Sequence, residues 1–204
     1  MNNDIKQNIR NSYNAHASLR DRQELESWKQ QELDFFLSQF GDDFHKKILD
    51  VGAGPGQQGK YLSDCGLQVT CIDLSSEMID ACKNKGLDAY VMDFYSIDFP
   101  EETFDAIWSM NALLHVPKKS LDNVLTSIKK VLKPEGIFYL GLYGGFESEG
   151  VWEEDFYEPK RFFSFYEHEA IQKKVKPMFE LLDFHTIRTE NMTMDYQAMV
   201  LKKR

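Results

Sequence analysis

The sequence predicts an α/β protein built on a mostly parallel sheet with helices on both faces. Between residues 47 and 143, short runs rich in β-branched residues alternate with amphipathic helical segments, which is typical of a parallel sheet. The first of these runs ends in glycine-rich residues, at the place where open α/β sheets bind ligands. The last two runs of the chain leave no length for a crossover helix between them, so they are predicted to pair antiparallel.

The elements follow in order along the chain. Residues 4–19 and 23–40 each place apolar side chains on one helical stripe, which predicts two amphipathic helices ahead of the sheet. The predicted strands that come next are 47–51, 68–73, 89–92, 104–109 and 137–143. Helices are predicted to run from the glycine-rich residues to about residue 65, then to about residue 85, and over 120–132. Proline and glycine predict a turn at 133–136.

The remaining part of the chain departs from this alternation. Residues 144–166 are acidic and rich in aromatic side chains, which predicts a long irregular segment that is functional rather than disordered. A helix is predicted at 167–176. Two strands follow at 179–190 and 193–202, joined by residues 191–192.

Length, charge and cysteine content narrow the function classes. The 204 residues fit one domain, predicted to span 1–204 with residues 1–42 as an N-terminal helical cap. A net charge of −9 argues against nucleic acid as a partner. No apolar run reaches the roughly 18 residues of a membrane span, and the polar residues 1–10 are unlike a secretory signal. Three cysteines without metal-binding spacing predict free thiols in a reducing cytoplasm.

The strongest local feature is the glycine-rich turn after the first strand, Asp50-Val-Gly52-Ala-Gly54-Pro-Gly56. Glycine allows a tight turn and a close approach of the backbone to a ligand. The second strand ends in Asp73, whose carboxylate can accept hydrogen bonds from both ribose hydroxyls of an adenosine. Asp50 suits a ligand with an amino group better than a pyrophosphate. A dinucleotide remains the alternative, although Gly56 comes one place too early for that fingerprint.

Five segments, taken in order, resemble the motifs of class I S-adenosylmethionine-dependent methyltransferases. They are Asp50-x-Gly52-x-Gly54-x-Gly56, residues 71–75, residues 92–94, residues 104–109 and residues 131–138, where Glu135 replaces the usual first glycine. The resemblance is dense over residues 45–143. It implies a Rossmann-like, doubly wound sheet of seven strands with the last strand antiparallel, and methyl transfer to an O, N, S or C atom of a small molecule.

The resemblance also implies a site for S-adenosylmethionine, with S-adenosylhomocysteine as the product. Asp73 would bind the ribose, Asp93 would meet the adenine amino group, and Phe94 would flank the adenine ring. The whole cofactor-binding set that it implies is Tyr13, Asp50, Gly52, Ala53, Gly54, Asp73, Leu74, Met78, Asp93, Phe94 and Ser109. Each has a structural alternative, such as a helix cap for Asp73 or a core position for Met78.

His115 is the candidate general base, since its ordinary pKa near ~6.5 suits proton transfer and it follows the fourth strand. It could instead only order its loop, and His16 and His168 are weaker candidates. Residues 144–166 and the N-terminal helices are expected to form a lid over the acceptor, with aromatic side chains facing an apolar or aromatic molecule. Arg161 could pair with a substrate carboxylate or form a structural salt bridge.

Two other classes of function stay open at this point. One is an oxidoreductase of the NAD type, which the early glycine and Asp50 disfavour. The other is a non-catalytic member of the same fold that serves as a binding module. No metal is expected in any of the three, and the sequence leaves the acceptor molecule and the oligomeric state open.

Overall fold

A central sheet of seven strands organises the protein in a computed structural model that describes residues 3–41, 45–190 and 192–204. The strands are β1 (Lys47–Val51), β2 (Gln68–Asp73), β3 (Asp88–Val91), β4 (Phe104–Met110), β5 (Leu132–Gly144), β6 (Ser148–Val151), β7 (Phe162–Phe165), β8 (Phe179–Ile187) and β9 (Asp195–Lys203). The order across the sheet is β3-β2-β1-β4-β5-β9-β8, while β6 and β7 form a separate antiparallel hairpin. Strand β9 runs antiparallel to both of its neighbours, as predicted for the last strand.

Six helices lie around this sheet in the described part of the chain. They are α1 (Asn3–Asp21), α2 (Ser27–Ser38), α3 (Gln57–Asp64), α4 (Ser76–Asn84), α5 (Leu121–Val131) and α6 (His168–Val175). Helix α5 shows why these segments are helical, since its buried residues Leu121, Val124, Leu125 and Ile128 recur at helical spacing on one face. None of these helices combines the length and the apolar character needed to cross a membrane.

The core consists of two buried clusters of side chains. Successive side chains of a strand point to opposite faces, so β1 supplies Leu49 and Val51 to one cluster and Ile48 to the other. A strand buried on both faces is rich in apolar residues, and the buried apolar residues of β1 and β2 lie within the runs that were predicted as strands.

Three expectations differ from the structure. Strand β5 begins at Leu132 rather than at 137, and the expected turn at 133–136 is an irregularity inside it, where Glu135 has a positive φ of 62°. The segment 144–166 is not irregular throughout, because β6 and β7 pair within it. Helix α2 begins at Ser27 instead of residue 23. Asn191, one of the two residues expected to join the last strands, lies outside the described residues.

The parallel strands place their carboxyl ends at one edge of the sheet. These ends are Val51, Asp73, Val91 and Met110. Helix α1 is tied to α4 beside that edge, where the Ser75 hydroxyl donates to Asn14 Oδ1 over 2.6 Å and Lys85 pairs with Asp21. The edge is therefore covered by α1, and the space between them is the place for a ligand.

Candidate functional site

A cavity of about 570 Å³ opens at the carboxyl edge of the sheet, beneath α1 and the hairpin segment. The predicted site residues that line it are Tyr13, Gly52, Gly54, Asp73, Leu74, Asp93, Phe94 and His115. A smaller cavity of about 420 Å³ adjoins it at the glycine turn and is lined by Ala53 together with Gly52 and Gly54. The structure thus brings most of the predicted residues to one place.

All three glycines of the turn have left-handed backbone, and Gly52 and Gly54 need that residue type for different reasons. Gly52 has a φ of +73°, and a Cβ there would lie 2.2 Å from the Cβ of Ala112. Gly54 has a φ of +55°, and a Cβ there would meet no atom within 4 Å. Because Gly54 also lines the cavity, its backbone stands open to a ligand.

Asp73 is held at the end of β2 by two backbone donors. Its Oδ2 accepts from the Gly54 N–H at 3.0 Å, and its Oδ1 accepts from the Ser75 N–H at 2.9 Å. Burial raises the pKa of Asp73, while these hydrogen bonds and the charge of Arg20 oppose the rise. Each carboxylate oxygen accepts two hydrogen bonds, so one lone pair on each oxygen stays available to a ligand.

Asp93 lies in the turn after β3. Its Oδ1 accepts from the Tyr95 N–H at 3.0 Å, and its Oδ2 forms an ion pair with Lys6 of α1. The Lys6 ammonium also lies 4.2 Å from the centre of the Tyr95 ring. This contact brings a charged residue of the N-terminal helix to the carboxylate expected at the adenine end.

Three residues of the predicted set do not line either cavity. Met78 and Ser109 are fully buried, and the Ser109 hydroxyl donates to the Val51 carbonyl at 3.1 Å. Asp50 lies beneath the glycine turn, and its Oδ2 has no hydrogen-bond partner among the described residues. Burial, with a smaller contribution from the charge of Asp73, raises the pKa of Asp50 to about 8.

His115 is buried at the wall of the cavity and uses both ring nitrogens. Its Nδ1 lies 2.7 Å from the Phe162 carbonyl oxygen, and its Nε2 lies 2.6 Å from Tyr13 Oη. Burial and the nearby charge of Arg161 lower the pKa of His115 to about 3. The imidazole is therefore neutral at physiological pH and already hydrogen-bonded on both sides.

The weaker histidine candidates lie elsewhere. His16 stacks on Tyr157 with ring centres 4.0 Å apart, and its Nδ1 lies 2.8 Å from the Ser12 carbonyl oxygen. His168 lies beside Asp195, with 3.2 Å between Nε2 and Oδ2. Neither residue is among those that line the cavity.

Arg161 forms a salt bridge within its own segment. Its Nε and Nη2 reach the two oxygens of Asp155 at 2.8 and 2.7 Å, and both side chains are largely buried. The guanidinium also lies 3.9 Å from the centre of the Tyr157 ring. This geometry corresponds to the structural alternative for Arg161.

Sequence reasoning missed Arg20, near the end of α1. It lines both cavities, and its Nε has no hydrogen-bond partner among the described residues. Its Nη1 lies 3.4 Å from Tyr157 Oη, and none of the described carboxylates forms an ion pair with it. No motif contains Arg20, so only the way α1 packs over the sheet reveals it.

The sequence of this chain is similar to those of known methyltransferases. Residues 49–140 match a family model described as a methyltransferase domain. Malonyl-[acyl-carrier protein] O-methyltransferase of Pseudescherichia vulneris is 31% identical over 127 residues, which cover 61% of this chain and 46% of that protein. Squalene methyltransferase 1 of Botryococcus braunii is 37% identical over 101 residues, covering 45% and 26%. The chain thus spans between about a quarter and a half of the length of such curated relatives.

Solved structures share the fold over nearly the whole chain. The 1,6-didemethyltoxoflavin-N1-methyltransferase of Burkholderia thailandensis, solved with 1,6-didemethyltoxoflavin and S-adenosylhomocysteine, has a TM-score of 0.79 at 18% identity and covers 98% of this chain and 87% of that one. The [4+2]-cyclase SpnF has the same TM-score at 19% identity, covering 98% and 96%. At such identities the likeness shows the fold alone, and the cyclase illustrates that one fold can carry different reactions.

Proposed function

This chain carries a methyltransferase domain of the class I S-adenosylmethionine-dependent family, and from that premise we propose that it methylates a small molecule. One observation carries the proposal. The open backbone of Gly54 and the carboxylates of Asp73 and Asp93 converge on one cavity at the carboxyl edge of the sheet. No finding supports the oxidoreductase alternative.

The described residues fit the adenosyl part of S-adenosylmethionine. Asp73 keeps a free lone pair on each oxygen, which suits two neighbouring ribose hydroxyls. Asp93 likewise can accept from an adenine amino group, and Phe94 and Leu74 line the cavity beside these acids. The Gly54 backbone leaves room for the sugar because no side-chain atom stands within 4 Å of its would-be Cβ.

The methionyl part would lie toward the smaller cavity. Arg20 reaches both cavities with a guanidinium that lacks a carboxylate partner among the described residues, so it suits the carboxylate of the methionyl group. Asp50 is buried under the same turn, and the ammonium of a bound methionyl group would favour its ionised form, which the empty site disfavours by burial.

The cofactor supplies a methyl group on a sulfonium, so the S–CH₃ bond breaks as the bond to the acceptor atom forms and the electron pair stays on sulfur. The protein's residues have to align the acceptor and exclude water. Helix α1 and the aromatic hairpin segment close the cavity on the side away from the sheet. Because the lowered pKa makes His115 a weak base and both of its ring nitrogens are hydrogen-bonded, its contacts favour the role of holding Tyr13 in place over that of a general base.

We propose that the chain is located in the cytoplasm, because its three cysteines form no disulfide. Cys65, Cys71 and Cys82 are free, and free buried thiols are typical of a reducing compartment. The partner would be a small-molecule acceptor, in keeping with the net negative charge of the chain and the cavity at the carboxyl edge of the sheet.

Isothermal titration calorimetry with S-adenosylmethionine, S-adenosylhomocysteine and NAD tests the proposal. We expect the two sulfur compounds to bind and NAD not to bind. Asp73→Ala should weaken their binding by about 1–3 kcal/mol, the cost of losing a charged hydrogen-bonding partner. Asp80→Ala removes an exposed carboxylate of α4 and serves as the matched control, with affinity unchanged.

A screen for methyl transfer over a metabolite library, with the homocysteine product as readout, tests catalysis itself. Binding of NAD alone, or equal affinity in Asp73→Ala and the native protein, would show that the site has been misidentified. Binding of the sulfur compounds without turnover of any acceptor would favour a non-catalytic binding module.

A further inference from the structure

Each hydrogen bond around Tyr13 has a definite donor and a definite acceptor. The Phe162 carbonyl oxygen can only accept, so His115 carries its proton on Nδ1 and its Nε2 must accept. The Tyr13 hydroxyl, 2.6 Å from Nε2, therefore donates its proton to His115. Arg161 Nη1 donates to the same hydroxyl oxygen at 3.1 Å. Because Tyr13 already donates its hydroxyl proton to His115, the Tyr13 oxygen can only accept a hydrogen bond from a ligand.

Burial keeps this direction fixed. The pKa of His115 is lowered to about 3, so the ring does not gain a second proton at physiological pH and Nε2 does not become a donor. The groups facing the ring are the Arg161 and Arg20 guanidinium groups, Asp155 and the Tyr13 hydroxyl. The charges of both arginines disfavour protonation of the ring, and that of Asp155 opposes them to a smaller extent.

Near Tyr13, the Arg20 guanidinium lies 5.4 Å from the ring centre and is assigned to the carboxylate of the bound cofactor, whereas two other cations are paired within the protein. Arg161 is held by both oxygens of Asp155, and Lys6 is held by Asp93. Glu154 lines the cavity but is exposed, where solvent screens its charge. The lining of the same cavity includes six aromatic side chains, which are Tyr143, Trp152, Phe156, Tyr157, Phe163 and Phe165. Once the cofactor carboxylate occupies Arg20, a ligand that carries a net charge would find no free partner among these residues and would lose its hydration.

Taking the proposed methyl transfer as given, we propose that Tyr13 Oη selects the acceptor, which is an uncharged aromatic molecule that donates a hydrogen bond to it from a hydroxyl, amino or thiol group. Tyr13 is then a residue that touches the substrate, while His115 and Arg161 position it. A molecule that offers only an ether or carbonyl oxygen has no proton to donate to the lone pair that the Tyr13 oxygen keeps beside its bond from Arg161.

The same contact separates acceptor from product. Where the donating hydroxyl or thiol is the group that becomes methylated, the product has no proton left to give. The product then loses the hydrogen bond to Tyr13 and binds more weakly than the acceptor. Recognition by Tyr13 would thus favour release of the methylated molecule.

Four naphthalenes that differ in one substituent test this proposal. They are 2-naphthol, 2-methoxynaphthalene, 2-naphthoate and 2-naphthylmethylammonium, titrated by fluorescence into protein saturated with S-adenosylhomocysteine. We expect 2-naphthol to bind about three- to tenfold more tightly than its methyl ether, the range of one neutral hydrogen bond. Both charged compounds should bind more weakly than 2-naphthol.

Three variants test which residue causes the preference for 2-naphthol over its methyl ether. Tyr13→Phe keeps the ring and removes the hydroxyl, so the ratio of the naphthol and ether dissociation constants should fall to about one. Tyr143→Phe removes another tyrosine hydroxyl from a residue of the same cavity lining and should leave that ratio as in the native protein. His115→Leu frees the Tyr13 proton, and the ether should gain affinity relative to the naphthol. A purely structural role of His115 would not change this preference.

The outcomes are distinct. Failure to bind S-adenosylhomocysteine overturns the proposed function and this proposal together. Binding of S-adenosylhomocysteine with tighter binding of 2-naphthoate or of the ammonium compound overturns only this proposal, and so does an unchanged ratio in Tyr13→Phe. Absence of any naphthalene binding in protein that binds S-adenosylhomocysteine also overturns it and leaves the proposed function standing.

Discussion

Tyr13 Oη lies 2.6 Å from His115 Nε2, and the same imidazole is 2.7 Å from the Phe162 carbonyl oxygen through Nδ1. One ring therefore joins three separate parts of the chain: helix α1, the turn after β4 and strand β7. The sequence suggested His115 as a base because of its place after the fourth strand. In the structure its neutral ring is hydrogen-bonded to two other parts of the chain, and that has a consequence for stability.

The first prediction concerns acid stability. The pKa of His115 is about 3 in the folded protein and near its ordinary value of about 6.5 when unfolded. A lowered folded pKa gives stability that is present above pH ~6.5 and is lost as the pH falls toward 3. We expect His115→Gln to remove part of this loss, on the order of 2 kcal/mol between pH 7 and 4.5. Urea unfolding at both pH values measures it.

His45→Gln provides the comparison for that experiment, because His45 is exposed. Its free energy of unfolding should follow that of the native protein at both pH values. If His115→Gln also lost stability on acidification as steeply as the native protein, the neutral state of His115 would not be a feature of the fold.

The second prediction concerns Asp50. Its pKa is raised to about 8 by burial, and the unfolded value is about 3.9. A raised pKa gives stability that is complete below pH ~4 and is lost as the pH rises through 8. Asp50→Asn should therefore unfold at the same temperature as the native protein near pH 4 and at a higher temperature near pH 8. We expect a gain on the order of 2 kcal/mol, since each pKa unit is worth about 1.4 kcal/mol and relaxation absorbs part of the shift.

The same variant should bind S-adenosylmethionine more weakly, because asparagine cannot ionise in response to the ammonium of the methionyl group. Thermal unfolding at the two pH values and calorimetry with the cofactor measure the two effects. Asp80→Asn, at an exposed carboxylate of α4, should change neither. A stabilised variant with undiminished affinity would show that Asp50 has no part in binding.

The sequence predicted the strands that are buried on both faces and the residues at their carboxyl ends. β1 and β2 match because their composition and their burial agree, and Gly54, Asp73 and Asp93 lie at the cavity because parallel strands end at one edge. The prediction was wrong at the beginning of β5. Pro134 and Gly136 indicated a turn, but Leu132 pairs with Phe104, and β5 therefore extends across residues 133–136.

The residues that were missed depend on contacts across the chain. Lys6 and Arg20 belong to α1, and the sequence of that helix does not indicate which strand ends it covers. The hairpin of β6 and β7 was missed because β6 is short and mostly exposed, so its pairing with Phe162–Phe165 is set by residues more than ten positions later. Local patterns reveal an element when burial shapes its composition, and they miss one that tertiary pairing alone creates.

The third prediction concerns a cluster that fixes α2 to the sheet. His185 of β8 lies between Asp183, at 2.6 Å from Nδ1, and the buried Glu32 of α2, at 3.2 Å from Nε2. Hydrogen bonds to these carboxylates, together with their charge, raise the pKa of His185 against the opposing effect of burial. A raised pKa gives stability that is complete below pH ~6.5 and is lost as the pH rises above the folded pKa.

His185→Gln should accordingly lower the free energy of unfolding at pH 6 by about 1 kcal/mol, a modest value because the imidazole is a third exposed to solvent. At pH 9 the difference should be close to zero. Urea unfolding of the two proteins at pH 6 and 9 checks this. A loss of equal size at both pH values would indicate that packing, and not the charge of His185, is responsible.

The last prediction separates the strain of a glycine replacement from its effect on the ligand. Gly54 and Gly86 have φ values of +55° and +79°, and a Cβ at either position would meet no atom within 4 Å. Replacement by alanine should cost each about 1–2 kcal/mol of stability, the penalty of left-handed backbone for a residue with a Cβ. Only Gly54 lines the cavity, so its Cβ would occupy the space that the proposed ribose needs. Gly54→Ala should then weaken S-adenosylhomocysteine binding by at least tenfold, whereas Gly86→Ala should bind as the native protein does.

Thermal unfolding establishes that the two variants are equally destabilised, and calorimetry compares their affinities. Equal affinity in the two variants would mean that the glycine turn does not touch the cofactor.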